Sequence, residues 1–168
     1  LRHGLTENEM RLAADACPST AISLCGDEMD SEQIMAQVRR DNAFYQRSGG
    51  GLTLSGGEPF MQPKLAQQVL QTAHQEGIHT AVESCLHVPW HYIEPSLEFV
   101  DLWLVDLKHT DVDKFLQWTD GQLPLIQHNI EKLGKSGANL LFRVPIITDF
   151  NDDEITLNAI IQQAAAHY

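Results

Sequence analysis

The sequence is poor in positive charge. Its 11 Lys and Arg stand against 23 Asp and Glu, a formal net charge of −12. The few basic residues are scattered without a run, so the chain lacks the electrostatic footprint of a nucleic-acid binder or of a protein drawn to an anionic membrane. Long apolar runs are missing too. No stretch of about 18 residues could form a spanning helix, and no signal peptide is visible. Cysteine is scarce. Cys17, Cys25 and Cys85 form an odd, widely spaced set, which argues against a disulfide framework and contains no close pair or triplet able to hold a metal cluster alone. An initiator Met is also absent. The chain opens Leu-Arg-His and reads as a fragment or processed piece, with a cytoplasmic setting expected. There is no internal repeat and no low-complexity segment.

What is present is an ordinary globular composition, 43% apolar and 20% charged over 168 residues, enough for one domain that buries roughly 70% of its unfolded surface. Residues 1–16 read as a helix. Thr6 with Glu9 three residues on is a capping-box pair, and Leu5, Met10, Leu12, Ala13 and Ala16 supply an apolar face. Residues 30–45 read as a second helix, N-capped by Asp30 with Gln33 reaching back, lined by Ile34, Met35, Val38 and Phe44. Leu52, Thr53 and Leu54 make a short strand. Pro63 opens a helix carrying Leu65, Ala66, Val69, Leu70 and Ala73, which Gly77 stops. Residues 78–82 form the next strand, followed by a short helix over 88–97. Residues 99–107 are almost unbroken in apolar character, as a strand buried on both faces should be. Helices follow around 114–118 and 123–136, then a strand over 139–147 and a last helix over 153–167.

Strands alternating with helices imply right-handed βαβ units and a parallel sheet. Four such strands are half of a (β/α)8 barrel or part of a doubly wound sheet. In either case the chemistry belongs at the carboxyl ends of the strands. Those ends read Glu58, then Glu83 and Ser84, then Asp106 and Lys108, then Arg143. Acids and bases alternate across one mouth, which can neutralise itself or bind a zwitterion such as an amino acid. Gly56 and Gly57 permit a turn that exposes bare peptide groups. Pro59 holds Glu58 extended, a carboxylate suited to an ammonium group. His87, His91 and His109 lie near the same mouth as weaker metal-ligand candidates. Phe60 and Met61 either line a pocket or pack beneath the loop, and the tryptophans are read as packing residues.

The word Arg-Ser-Gly-Gly-Gly-Leu-Thr-Leu-Ser-Gly-Gly-Glu-Pro, residues 47–59, resembles the second strand and following loop of radical S-adenosylmethionine (SAM) enzymes. More narrowly, it resembles the activating enzymes of glycyl-radical enzymes, the pyruvate formate-lyase activating enzyme group. The likeness runs from about Cys17 to the end. It implies an incomplete barrel of parallel strands with helices outside, this chain holding strands two to five over residues 29–168, and residues 1–28 being the tail of a ferredoxin-like insert. It implies that Gly56, Gly57, Glu58 and Pro59 hold the methionine amino group of SAM. Lys108 of Asp106-Leu-Lys108 would approach the SAM carboxylate, and Asp106 would position the ligand or a monovalent cation. Glu83-Ser84 stands where relatives carry Asp then Thr or Ser, and Arg143 matches an Arg close to the ligand. Cys17, followed by Pro18, resembles the last ligand of a ferredoxin-type cluster motif. It is the one residue of the chain assigned to a metal, an accessory cluster. No residue is assigned a catalytic step.

The activity implied is reductive cleavage of SAM at a [4Fe–4S] cluster, with a glycyl radical then formed on a partner such as a pyruvate formate-lyase-like enzyme. Flavodoxin or ferredoxin would supply the electron. The family's Cys-x3-Cys-x2-Cys loop is absent from this sequence, so the chain alone is expected to be inactive. Three other readings stay open on the residues. One is a barrel enzyme using Lys108 as a Schiff-base amine. Another is a divalent-cation site of Glu58, Glu83 and Asp106. The third is a non-catalytic SAM-binding or partner-docking domain.

Overall fold

The computed structural model describes residues 6–23 and 25–167. Leu5, expected on the face of the first helix, lies outside them. That helix, α1, spans Glu7–Asp15 with the capping box in place: the Thr6 amide donates to the Glu9 carboxylate at 2.8 Å and the Glu9 amide to Thr6 Oγ1 at 3.3 Å. Its expected apolar face is not buried among the described residues. No residue of α1 is buried, and Leu12 is 61% exposed.

The expected helix over residues 30–45 is two helices. Asp30 caps α2 (Ser31–Val38), with Gln33 reaching back. The chain then tightens into a 3₁₀ turn, where Arg39 bridges Glu32 and Glu76, and continues as α3 (Asn42–Ser48). Met35 and Val38 are buried, but Phe44 is exposed. It lies half a turn out of phase with Met35, so no helix could put both on one side.

Strand β1 (Gly51–Leu54) is followed by α4 (Pro63–Gln75), β2 (His79–Ser84) and α5 (Trp90–Ile93), which runs on into a 3₁₀ segment. Then come β3 (Leu102–Asp106), α6 (Val112–Thr119), α7 (Leu123–Lys135), β4 (Leu140–Arg143) and α8 (Glu154–Ala165). Gly77 and Gly137 sit at φ +71° and +76°, closing α4 and α7 as left-handed residues. At Gly51 a Cβ would run into the His79 carbonyl of β2, so glycine lets the two strands approach.

The four strands form one parallel sheet in the order β1-β2-β3-β4. Registers Leu54↔Val82, Val82↔Trp103 and Trp103↔Leu140 define one face. That face is covered. Val82, Trp103, Val105 and Leu140 share a core with Leu70 of α4, Ile93 of α5, Phe115 of α6, Ile130 of α7 and Ile160 of α8. Helices from every crossover therefore lie on one side, which is the winding of a barrel; a doubly wound sheet would carry them on both. A second core joins Met35 and Val38 of α2 to Val69 and Ala73 of α4.

The opposite face carries Glu83↔Leu104, Leu104↔Leu141 and Asp106↔Arg143. Here two expectations are corrected. Strand β3 is buried on one face only, since Trp103 and Val105 are fully covered while Leu102, Leu104 and Asp106 are half-buried. Strand β4 stops at Arg143 rather than at residue 147. Pro145 offers no amide to a ladder. The Asn151 side chain takes over the segment, accepting from the Ile147 amide at 2.7 Å and donating to the Lys108 and Pro145 carbonyls at 2.8 and 3.0 Å.

Candidate functional site

The loop after β1 begins the site. Gly56 has φ +122°, a backbone conformation L side chains rarely adopt. A Cβ at Gly56 or Gly57 would meet nothing within 4 Å, so the turn faces open space. Glu58 is extended, as Pro59 requires, and Pro59 opens a 3₁₀ turn to Met61. The Glu58 carboxylate accepts from the Phe60 amide at 3.3 Å. From the end of β2 the Ser84 hydroxyl contacts both its oxygens at 2.9 and 2.8 Å. The Cys85 amide donates to it at 3.2 Å and the Cys85 thiol at 3.4 Å. Phe60 is fully buried and stacked on Trp103, with centroids 5.7 Å apart, so it packs beneath the loop, while Met61 is exposed.

A second group lies on the half-open face. Arg143 donates to Glu83 at 2.7 Å and to Asp106 at 2.6 and 3.1 Å, and Lys108 Nζ reaches Asp106 at 3.2 Å. Two carboxylates meet two cations, and the group is neutral. The hydrogen bond from Arg143 holds the Glu83 carboxyl below the usual range against the opposing effect of burial, with the Ser55 hydroxyl adding to it. The bonds to Glu83 and Asp106 raise Arg143 in turn. Burial pushes the Cys85 thiol up, and the Glu58 charge adds to that. A cavity of about 190 Å³ opens beside the two groups, lined by Cys85, His87, Lys108, Phe115, Thr119 and Gly121.

Gly56, Gly57, Glu58, Pro59, Glu83, Ser84, Asp106, Lys108 and Arg143 thus all stand at the carboxyl end of one sheet. Three residues that sequence reasoning left aside belong with them. The Ser55 hydroxyl helps hold the Glu83 carboxyl down, Cys85 bonds Glu58, and Asn151 ties the loop after β4 to Lys108. Ser55 and Cys85 were adjacent to named residues. Asn151 gave no local sign, because its partners are brought in by the fold. Among the described residues no three His, Cys, Asp or Glu side chains converge as a metal site. Cys17 contacts Ser19 (Sγ to Oγ 3.7 Å), and Cys25 is exposed. Glu83 Oε1 and Asp106 Oδ1 accept from Arg143 and Asp106 Oδ2 accepts from Lys108, which disfavours the divalent-cation reading. Lys108 is ion-paired rather than set in the apolar pocket that activates a Schiff-base amine.

No protein-family model matches the chain. It is 39% identical over 142 residues to the (2S)-3-sulfopropanediol dehydratase activating enzyme of Klebsiella oxytoca, covering 84% of this chain and 45% of that protein. It is 38% identical over 154 residues to the isethionate sulfite-lyase activating enzyme of Oleidesulfovibrio alaskensis, covering 90% and 50%. The crystal structure of a domain of pyruvate-formate lyase-activating enzyme from Bacteroides vulgatus superposes with a TM-score of 0.64 at 29% identity, over 70% of this chain and 73% of that one. The chain spans about half the length of the curated relatives it matches. Its relatives are activating enzymes of glycyl-radical enzymes, and its parallel, singly wound sheet and its Gly-Gly-Glu-Pro turn at the mouth fit a fragment of such a radical SAM enzyme.

Proposed function

We propose that this chain is the part of an activating enzyme that receives SAM, in a parent protein that cleaves it reductively and generates a glycyl radical on a pyruvate formate-lyase-like or related partner. The observation that carries this is the juxtaposition at one mouth of the open Gly56–Gly57 turn and the neutral Glu83–Asp106–Lys108–Arg143 group. A methionine moiety brings one ammonium and one carboxylate. The turn offers acceptors to the first, Lys108 and Arg143 offer donors to the second, and Asp106 and Glu83 keep the cations in place without a net charge that would repel either end. A neighbouring sulfonium adds positive charge, which the acidic chain favours. Asp106 is also placed to orient the ligand or a monovalent cation.

The [4Fe–4S] cluster does not fit this chain. The sequence has no Cys-x3-Cys-x2-Cys loop, and the described residues present no converging ligand set. The reducing electron and the bond cleavage therefore belong to the rest of the parent, with flavodoxin or ferredoxin as electron donor. The contribution of residues 29–168, read as strands two to five of the barrel, is binding, orientation and shielding from water. Residues 1–28 are read as the tail of a ferredoxin-like insert, with Cys17 a ligand of its accessory cluster. Three free thiols fit a reducing compartment, the cytoplasm.

Two measurements test the proposal. Calorimetric titration of the chain with SAM should show one site, weakened at least tenfold by Lys108→Ala. The parent with reconstituted cluster should release 5′-deoxyadenosine and methionine and leave a glycyl-radical signal in the partner's electron paramagnetic resonance spectrum, while the chain alone releases neither product. Cleavage by the chain alone, or a parent that binds SAM without cleaving it, would refute this division of labour.

A further inference from the structure

The ladder between β3 and β4 ends where the two cations of the mouth leave the sheet. The strands run in register as far as Asp106↔Arg143, and the Leu107 amide still donates to the Arg143 carbonyl at 2.9 Å. The next pair in that register is Lys108 with Pro145, and Pro145 has no amide to give. Beyond this point only side-chain ion pairs through Asp106 would hold Lys108 and Arg143 at a fixed spacing. Partly exposed pairs of that kind are weak restraints.

Asn151 enters from outside the sheet and joins both chain extensions. It is fully buried. Its Nδ2 carries two protons and donates to the Lys108 carbonyl at 2.8 Å and to the Pro145 carbonyl at 3.0 Å. Its Oδ1 accepts from the Ile147 amide at 2.7 Å, which fixes the way the carboxamide faces. The neighbouring residues pack the same junction. Phe150 is 1% exposed, with its ring centroid 5.0 Å from that of His109 and 5.2 Å from that of Trp118. His109 is buried as well, and its Nδ1 accepts from the Asp111 amide at 2.9 Å. The backbone of Lys108 is therefore gripped at its own carbonyl and at the residue that follows, while its side chain stays half-buried at the mouth.

We infer that Asn151 is a positioning residue. It stands in for the rung that Pro145 cannot make, sets the spacing of Lys108 and Arg143, and so makes the mouth selective for a ligand carboxylate. The selectivity rests on the SAM reading; the rung does not.

The test uses Asn151→Ala and Asn151→Asp in the full chain. Asn151→Asp keeps an oxygen to accept from Ile147 and loses both donated bonds. Without ligand, amide hydrogen exchange at Leu107 should quicken about tenfold or more in both variants, the scale of one lost hydrogen bond. Quickening in Asn151→Ala alone would make Asn151 a closer of its own turn and overturn the rung, as would unchanged exchange in both. Wild type supplies a check that survives if neither variant folds. Its Asn151 side-chain amide should exchange about a hundredfold more slowly than that of the exposed Asn158, and equal rates would overturn the rung. With ligand, calorimetry compares SAM with decarboxylated SAM, which keeps the sulfonium and the amine and lacks the carboxylate. Asn151→Ala should weaken SAM about tenfold and decarboxylated SAM less than about twofold. In a Lys108→Ala background it should weaken SAM no further. Equal weakening of both ligands, or additive losses with Lys108→Ala, would make Asn151 part of the scaffold and overturn the selectivity. If the wild-type chain binds no SAM, the function proposed above fails and the selectivity with it, and exchange still decides the rung.

Discussion

The same four strands present two faces with opposite character. On one face Val82, Trp103, Val105 and Leu140 vanish beneath the helices. On the other, one residue away in each strand, Glu83, Leu104 and Arg143 are half-buried and Leu141 is 43% exposed. Strand geometry explains how neighbours in sequence part company so completely, since successive side chains point to opposite sides. The difference teaches where stability and function divide. The covered face holds the sheet together by close packing, and the half-open face, free of that duty, can carry a charged group that would be intolerable in the core.

The sharpest way to break this comparison is to truncate neighbours on opposite faces. Trp103→Ala removes the largest fully buried side chain and its stack on Phe60, and should cost about 3–5 kcal/mol. Leu104→Ala, the next residue but on the half-open face, should cost clearly less than that, because the side chain is smaller and part of its surface stays in contact with water. Urea denaturation of both variants checks the pair. Equal costs would mean that the second face is packed as tightly as the first.

A functional variant should show the reverse balance. Arg143→Met leaves Glu83 and Asp106 facing each other with only Lys108 to offset them. Its side chain is 36% exposed, so the melting temperature should fall by only a few degrees, while SAM affinity in calorimetry should fall tenfold or more. A large fall in melting temperature with affinity intact would assign Arg143 to the scaffold.

Acid sharpens the same point more gently. Arg143 depresses the Glu83 carboxyl, so this pairing stabilises the fold at pH values above the unfolded glutamate range, about 4.3. The contribution disappears as pH falls through the lower folded value. Melting curves of wild type and Glu83→Gln should therefore differ near neutral pH and converge below about pH 4. Curves that run parallel down to that pH would show that Glu83 owes nothing to its ion pair.

How much of this could be read in the sequence depended on range. Helix starts were legible where a cap and its partner lie three residues apart, as at Thr6 with Glu9 and Asp30 with Gln33. The residues of the mouth were legible because charged side chains interrupt the apolar runs at Glu83, Asp106 and Arg143. The partners of those charges were not legible. Arg143 finds Glu83 and Asp106, and Glu58 finds Ser84, only through the sheet register. Strand lengths were overestimated at β3 and β4 for a related reason. Apolar character marks burial, and residues such as Phe99 and Val144 pack against the core without joining a ladder.

The smallest expected effect lies where local signal and tertiary packing are separated, at α1. Its capping box is complete and its helix forms, yet none of its residues is buried. Thr6→Ala removes the hydroxyl that caps Glu9. In a helix packed against a core, that loss would cost the whole protein about 1 kcal/mol. Here the helix shares no buried surface with the sheet, so its fraying is uncoupled from global unfolding. Circular dichroism should record a small loss of helix, while the urea midpoint stays within error of wild type. A shifted midpoint would mean that residues 6–16 dock onto the domain in solution, and that the helix with both of its cap residues belongs to the same cooperative unit as the covered face of the sheet.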